Sequence, residues 1–110
     1  MEKLEFAFSG SRLMAASNKP VIAGVLGSGN LEVLIEPARD LPGICRIEVE
    51  TAAVGFGTIW QRVLEDVMAR WQVGNMRISI NDAGATPAVV ALRLDQALKT
   101  FTGSMPGARP

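Results

Sequence analysis

The side chain best suited to chemistry in this sequence is the hydroxyl of Ser28, which stands between Gly27 and Gly29. The four residues Gly27-Ser28-Gly29-Asn30 join two apolar runs, and Gly and Asn reach positive φ at little steric cost. The pattern therefore predicts a β-hairpin turn. Because both neighbours are glycines, no bulky adjacent residue would block a second protein from the hydroxyl. Serine is also an ordinary turn residue, so the turn alone assigns no function.

Two glycine motifs could bind phosphate but have simpler explanations. Gly24-x-x-Gly27-x-Gly29 matches neither the dinucleotide fingerprint nor the P-loop, and a strand rather than a helix is predicted to follow it. Gly55-x-Gly57 precedes a predicted helix, whose N-terminal amides could bind an anion. Backbone freedom at a helix start explains that pair as well.

Three further sets of residues favour a structural interpretation. Turn geometry explains Asp82 beside Gly84. The carboxylates Glu48 and Glu50 are expected on a solvated face of a strand. Core packing or an interface explains the indoles Trp60 and Trp71.

The composition excludes several classes of function. The 110 residues fit one small domain, and eleven basic residues balance eleven acidic ones, so nothing predicts binding to nucleic acid or an anionic membrane. The chain has no histidine and no tyrosine, so it has few side chains suited to acid–base catalysis or metal binding. The single cysteine, Cys45, is predicted to be buried and suits a reducing compartment. With no evident signal peptide or membrane span, we expect a cytoplasmic protein.

Hydrophobic periodicity predicts the elements that position Ser28. A possible edge strand at the N-terminus precedes the order β-β-β-α-β-α, which predicts an α+β two-layer sandwich. Its sheet has four to five mainly antiparallel strands, and two helices cover one face. Gly74 is the expected C-cap of the first helix. The apolar stripe of that helix is assigned to Phe56, Ile59, Val63 and Val67 and is widened by Trp60, Leu64, Met68 and Trp71. Thr86 and Pro87 are expected to start the second helix, which should run to about Thr100.

These elements predict a single domain over residues 1–110. Its ends are an edge strand and connector at 1–19 and a flexible tail at 102–110.

Three segments of the sequence resemble the acyl-carrier (delta) subunit of biotin-independent malonate decarboxylase and, more loosely, the acyl-carrier subunit of citrate lyase. The resemblance follows residues 20–100 in order. It is carried by VIAGVLGSGNLEVL at 21–34, GFGTIWQ at 55–61, and NDAGATP at 81–87 with the VV and LRL that follow.

The resemblance implies a non-catalytic carrier of acyl groups. In that family the turn serine carries a phosphoribosyl-dephospho-CoA group, 2'-(5''-phosphoribosyl)-3'-dephospho-CoA, through a phosphodiester. Carried across, that serine is Ser28, and Gly27 and Gly29 present it. This chain has Asn30 where the family usually has Asp. A carrier needs no acid, base or metal of its own, since the thiol belongs to the attached arm.

The resemblance also implies a reaction cycle and its partners. An acetyl-carrier:malonate transferase subunit exchanges acetyl on the arm for malonyl, and a carboxylase-like subunit pair decarboxylates the malonyl thioester, releasing carbon dioxide. A phosphoribosyl-dephospho-CoA transferase and a malonyl transferase are further implied partners. The alternative is a structural or interaction subunit of a multisubunit complex, in which the hairpin only docks. A small independent enzyme would have to be active as the isolated, unmodified chain.

Overall fold

The computed structural model describes residues 1–10, 21–25 and 28–103, with side chains for residues 1–10 and 30–103. Five strands and two helices lie in these ranges. They are β1 Glu2–Ser9, β2 Val21–Val25, β3 Ser28–Pro37, β4 Ile44–Thr51, α1 Gly57–Trp71, β5 Met76–Asp82 and α2 Pro87–Thr102.

The strands form one mixed sheet in the order β1-β4-β5-β3-β2. Three of its neighbouring pairs are antiparallel, and β4 and β5 alone among these neighbours run parallel, with Ile47 opposite Ile78. Parallel neighbours need a crossover connection, and α1 supplies it. The predicted α+β class with a mainly antiparallel sheet and two helices is confirmed.

The core lies between one face of the sheet and both helices. Alternate residues of β3, β4 and β5 are buried, as their period of two requires. They pack in one cluster with the buried faces of α1 and α2, and Leu4, Phe6 and Phe8 of β1 pack against its margin. The opposite sheet face carries exposed ion pairs such as Arg46–Glu5 at 3.2 Å. Helices therefore cover one face of the sheet, as predicted.

Two details of the helices differ from expectation. The first helix ends with Gln72 in the left-handed conformation (φ 52°), not with Gly74 as its C-cap. Gly74 is instead pressed against another backbone segment, where an added Cβ would stand 1.9 Å from the Gly10 carbonyl oxygen. The second helix begins as predicted, with Thr86 accepting a hydrogen bond from Val89 N–H, but it continues to Thr102, which is buried.

The apolar stripe of α1 is also rotated from its predicted centre. Trp60, Leu64 and Trp71 are buried, whereas Phe56 and Ile59 are each 46% exposed.

No helix among the described residues is long and apolar enough to cross a membrane.

Candidate functional site

Ser28 is the first residue of β3, and its backbone pairs with Val25 at the end of β2. The two strands form the predicted hairpin, but the turn predicted at Gly27-Ser28-Gly29-Asn30 is displaced, because Ser28, Gly29 and Asn30 already belong to β3 and Ser28 pairs with Val25. Gly27 lies outside the described residues, and the Ser28 hydroxyl lies outside the described side chains. The structure therefore places the candidate serine by its backbone, at the point where the chain returns into the sheet.

The hairpin end extends past the body of the sheet. Pairing of β3 with β5 begins at Leu31, opposite the last residue of β5, so Ser28 and Gly29 lie beyond the carboxyl end of that strand. Between the pairs Ala23–Val33 and Val25–Ser28, β2 advances two residues while β3 advances five. This irregularity inserts three additional residues on the β3 side. Such bulges bend a strand and change the direction of its side chains.

Asn30 lies at the bend and connects it to the rest of the fold. Its backbone is left-handed (φ 58°), its side chain is exposed, and its carbonyl oxygen accepts a hydrogen bond from Ala83 N–H at 2.9 Å. Asn and Asp are the non-glycine residues most often found in this conformation. Asn is therefore suited to this backbone conformation and, unlike Asp, carries no charge there.

The loop that contacts Asn30 is held by the carboxylate of Asp82, which is 5% exposed. One oxygen, Oδ2, accepts from the Thr51 hydroxyl at 2.8 Å. The other, Oδ1, accepts from the N–H groups of Gly84 at 3.2 Å and Ala85 at 2.8 Å. The predicted turn role of Asp82 is confirmed, and the same carboxylate joins the ends of β4 and β5.

An apolar groove of about 280 Å³ opens at this end of the sheet, between the first turns of α1 and α2. Phe56, the N-cap residue of α1, lines one part together with Ile59 and Trp60 of that helix. Pro87 and Val90 of α2 line another part. Loop residues Ala53 and Ala85, together with Asp82, contribute to the remaining lining. The groove therefore lies at the carboxyl ends of the parallel pair β4 and β5, where α/β sheets commonly place ligands.

Comparison with known proteins bears on the hairpin directly. Residues 18–101 match the family described as malonate decarboxylase delta subunit (MdcD), and this range includes the whole hairpin. The chain belongs to this family. The predicted resemblance is confirmed.

Individual relatives agree with the assignment. A malonate decarboxylase acyl carrier protein from Stenotrophomonas maltophilia is 50% identical over 106 residues, which cover 96% of this chain and 99% of that protein. One of the same name from Burkholderia cepacia is 56% identical over 97 residues, covering 88% and 87% of the two chains. The fold matches a chain of a crystal structure of a Pseudomonas malonate decarboxylase hetero-tetramer in complex with malonate. That match has a TM-score of 0.79 at 37% identity and covers 91% of this chain and 98% of the other.

The remaining candidate residues are structural in this member of the delta subunit family. Trp60 and Trp71 are core residues, as predicted, and the Trp71 indole donates to Asp95 at 2.9 Å. Glu48 and Glu50 lie in surface ion pairs on the open face of the sheet. Among the described residues, no group of three or more potential ligands could hold a metal ion.

Cys45 is buried as predicted, and burial raises the pKa of its thiol to about 12. A thiol held in its neutral form is a poor nucleophile. Cys45 therefore has the character of a core residue rather than that of a reactive group.

Sequence reasoning missed the groove because it assigned Phe56 and Ile59 to the buried stripe of α1. Both residues follow the helical period of the core, so their type and spacing alone do not separate them from buried positions. Their exposure depends on how α1 is rotated against the sheet and against α2.

Proposed function

We propose that this chain is the acyl carrier subunit of a malonate decarboxylase complex and that Ser28 bears the prosthetic arm. The arm is 2'-(5''-phosphoribosyl)-3'-dephospho-CoA, joined to the serine oxygen through a phosphodiester. The main support is that the match to the delta subunit family spans the hairpin that begins β3 with Ser28. Relatives of about half identity are themselves named malonate decarboxylase acyl carrier protein. When bound, the arm supplies a thiol that holds acetyl or malonyl as a thioester.

The described backbone fits an attachment point of this kind. Ser28 stands beyond the carboxyl end of β5, on a hairpin bent by three additional residues. Below it, the Asn30–Ala83 hydrogen bond and the contacts of Asp82 hold the hairpin base to a rigid sheet. An attachment residue on a supported projection meets partner active sites without moving the core.

The described side chains provide support rather than reaction chemistry. Asp82 is the only carboxylate among the buried residues of the described ranges, and both its oxygens accept hydrogen bonds within the fold. On this proposal the chain is a non-catalytic subunit that works in the cytoplasm. Its partners are the acetyl-carrier:malonate transferase subunit, the carboxylase-like decarboxylase pair, the phosphoribosyl-dephospho-CoA transferase and the malonyl transferase. Tethering raises the effective concentration of the acyl group at each partner.

Intact-mass spectrometry of the chain co-expressed with its modifying transferases tests the proposal. We expect one adduct of the mass of the arm, and Ser28→Ala should abolish it. Trypsin releases residues 13–39 as one peptide, because Pro20 follows Lys19 and blocks cleavage there. That peptide holds two hydroxyls, Ser17 and Ser28, so Ser17→Ala is the matched control and should keep the adduct. An adduct that survives Ser28→Ala, or an unmodified chain in a complex that turns over malonate, would contradict the proposal.

The second candidate, a structural subunit whose hairpin only docks, gives a different result in the assembled complex. The position of the hairpin end beyond the last paired residue of β5, at the same end of the sheet as an apolar groove, favours this alternative. If docking is the whole function, the complex with Ser28→Ala should assemble and still decarboxylate malonate. If Ser28 anchors the arm, the complex should assemble but lose its turnover of malonate.

A further inference from the structure

The apolar groove between α1 and α2 is not explained by anchoring at Ser28 alone. Phe56 and Ile59 expose nearly half of their surface, although Leu64, Val67 and Trp71 of α1 are buried in the core. Exposed apolar residues that line a groove mark a binding site for a ligand or for a partner surface. The groove also shares a loop with the hairpin base, since Ala83, which bonds Asn30, precedes the lining residues Gly84 and Ala85.

The parts of the proposed arm differ in how well they suit such a groove. Acetyl is too small to require about 280 Å³, and malonyl carries a carboxylate that an apolar lining would desolvate. The pantetheine portion contains two amides that need hydrogen-bond partners. Adenine presents the largest flat, weakly polar surface, and its faces stack well on aromatic side chains. Phe56 offers such a surface, since it lines the groove and is 46% exposed.

The position of the groove agrees with the place of adenine along the arm. Ser28 precedes Leu31 by three residues, or at most about 10 Å of strand, and neighbouring strands are about 5 Å apart. The serine backbone is therefore roughly 11 Å or less from Asp82, a groove residue paired with Leu31. Adenine follows the serine oxygen after a phosphate and two ribose rings, about ten bonds. At roughly 1.2 Å of extension per bond, this path reaches on the order of 12 Å.

The charges around the groove permit the phosphates of the arm to approach. Neither helix has an acidic residue in its first turn. Asp82 is the one carboxylate among the described residues that line the groove, and its oxygens accept three hydrogen bonds from within the fold. A tethered base would be present at an effective concentration in the millimolar range, so even a weak site would be filled.

We infer that this groove binds the adenine base of the arm carried by Ser28 and so fixes the nucleotide while the pantetheine remains free to reach the partner subunits. The inference rests on the proposed attachment at Ser28. It adds a second, non-covalent binding site on the chain, with Phe56 and Ile59 as its exposed contact residues.

Methyl NMR of the modified chain tests this inference without relying on activity. Intact mass of the chain and of its Ser28→Ala variant first establishes the arm on Ser28, and methyl spectra of the modified and unmodified chains are then compared. We expect shifts at the Ile59 and Val63 methyls, with nuclear Overhauser contacts from Ile59 to adenine protons. Leu92 is the control methyl, since it is 53% exposed on α2 and does not line the groove.

Substitution of the aromatic wall provides a second measurement. Phe56→Ala should lower the ratio of bound to free base by about tenfold, the effect expected for loss of one stacking partner, and so remove most of the Ile59 shift. Leu92→Ala should leave that shift unchanged. Thermal melting of both variants confirms that each is folded.

The outcomes separate this inference from the proposed function. A modified chain with unchanged Ile59 and Val63 methyls overturns the adenine site and leaves the anchoring role of Ser28 standing. Contacts from Ile59 to the pantetheine methyls rather than to adenine overturn it as well. Absence of any arm on Ser28 overturns both proposals.

Discussion

Replacing Asp82 by alanine should destabilise the whole end of the sheet that supports the hairpin. The carboxylate is 5% exposed and accepts hydrogen bonds from the Thr51 hydroxyl and from the N–H groups of Gly84 and Ala85. Removing it leaves three donors without their acceptor. Gly84 is exposed and can bond to water, whereas Ala85 is half-buried and Thr51 is fully buried. The loss of stability should therefore come mainly from the last two.

The expected loss of stability follows from the free-energy cost of leaving buried hydrogen-bond donors without an acceptor. A buried donor that loses its acceptor costs about 1–3 kcal/mol, so two such groups with a smaller contribution from Gly84 give about 3 kcal/mol. For a domain of about 100 residues this lowers Tm by roughly 10–20 °C. Asp82→Asn should cost about half as much, because its oxygen can still accept from both N–H groups and its amide can donate to Thr51.

Urea unfolding followed by circular dichroism measures these losses as the free energy of unfolding. A double-mutant cycle of Asp82→Ala with Thr51→Val should show a coupling of about 1 kcal/mol, since the two side chains share a buried hydrogen bond. Asp66→Ala is the control, because Asp66 is exposed on α1 and should change stability by less than about 0.5 kcal/mol. A loss below about 1 kcal/mol for Asp82→Ala, or strict additivity in the cycle, would refute the role assigned to this carboxylate.

Three further core residues, Gly74, Cys45 and Trp71, can be tested by stability measurements and, for Cys45, by alkylation. Gly74→Ala should lower the free energy of unfolding by about 3 kcal/mol, because the new Cβ would stand 1.9 Å from the Gly10 carbonyl oxygen. Gly57→Ala is the control and should be nearly neutral, because its Cβ meets only a side-chain methyl at 3.7 Å. Equal effects of the two substitutions would contradict this prediction. The thiol of Cys45 should resist alkylation at pH 8 in the folded chain and react in urea. The free energy of unfolding should fall as pH rises from about 9 towards 12, because the thiol of the unfolded chain ionises near its usual pKa of 9.0 while burial raises the pKa of the folded thiol to about 12. A Cys45→Ala variant with the same dependence of stability on pH would contradict this prediction. Trp71→Phe should cost about 1 kcal/mol through loss of its indole hydrogen bond, and an unchanged urea midpoint would count against that contact.

The local features of the fold were predictable because each depends on residues close together in the chain. The alternation of Ile44–Thr51 identified a half-buried strand, and Thr86 followed by Pro87 identified the start of α2. The glycines around Ser28 identified the hairpin. Their order predicted an α+β sandwich, and the resemblance of three segments identified the family.

The features that were missed depend on contacts between distant residues. The position of Gly74 after the helix suggested a C-cap, but its lack of a side chain instead permits close contact with the backbone of Gly10. Gln72 is the left-handed C-cap residue of α1. The period of two in β4 and β5 does not specify which strand lies beside which, so their parallel pairing was not predicted. The role of the left-handed Asn30 was not predicted either, because its hydrogen bond to Ala83 joins separate parts of the chain.

The sequence by itself determined the types of secondary-structure element, the hairpin that contains Ser28 and membership of the delta subunit family, because all three depend on local patterns and residue identities. Only the tertiary structure decided how α1 is rotated, and therefore that Phe56 and Ile59 leave the core to line a groove at the hairpin end of the sheet. The physical reason is that α1 has apolar residues around much of its circumference. The neighbours that pack against the helix, rather than its own periodicity, select which of these residues are buried.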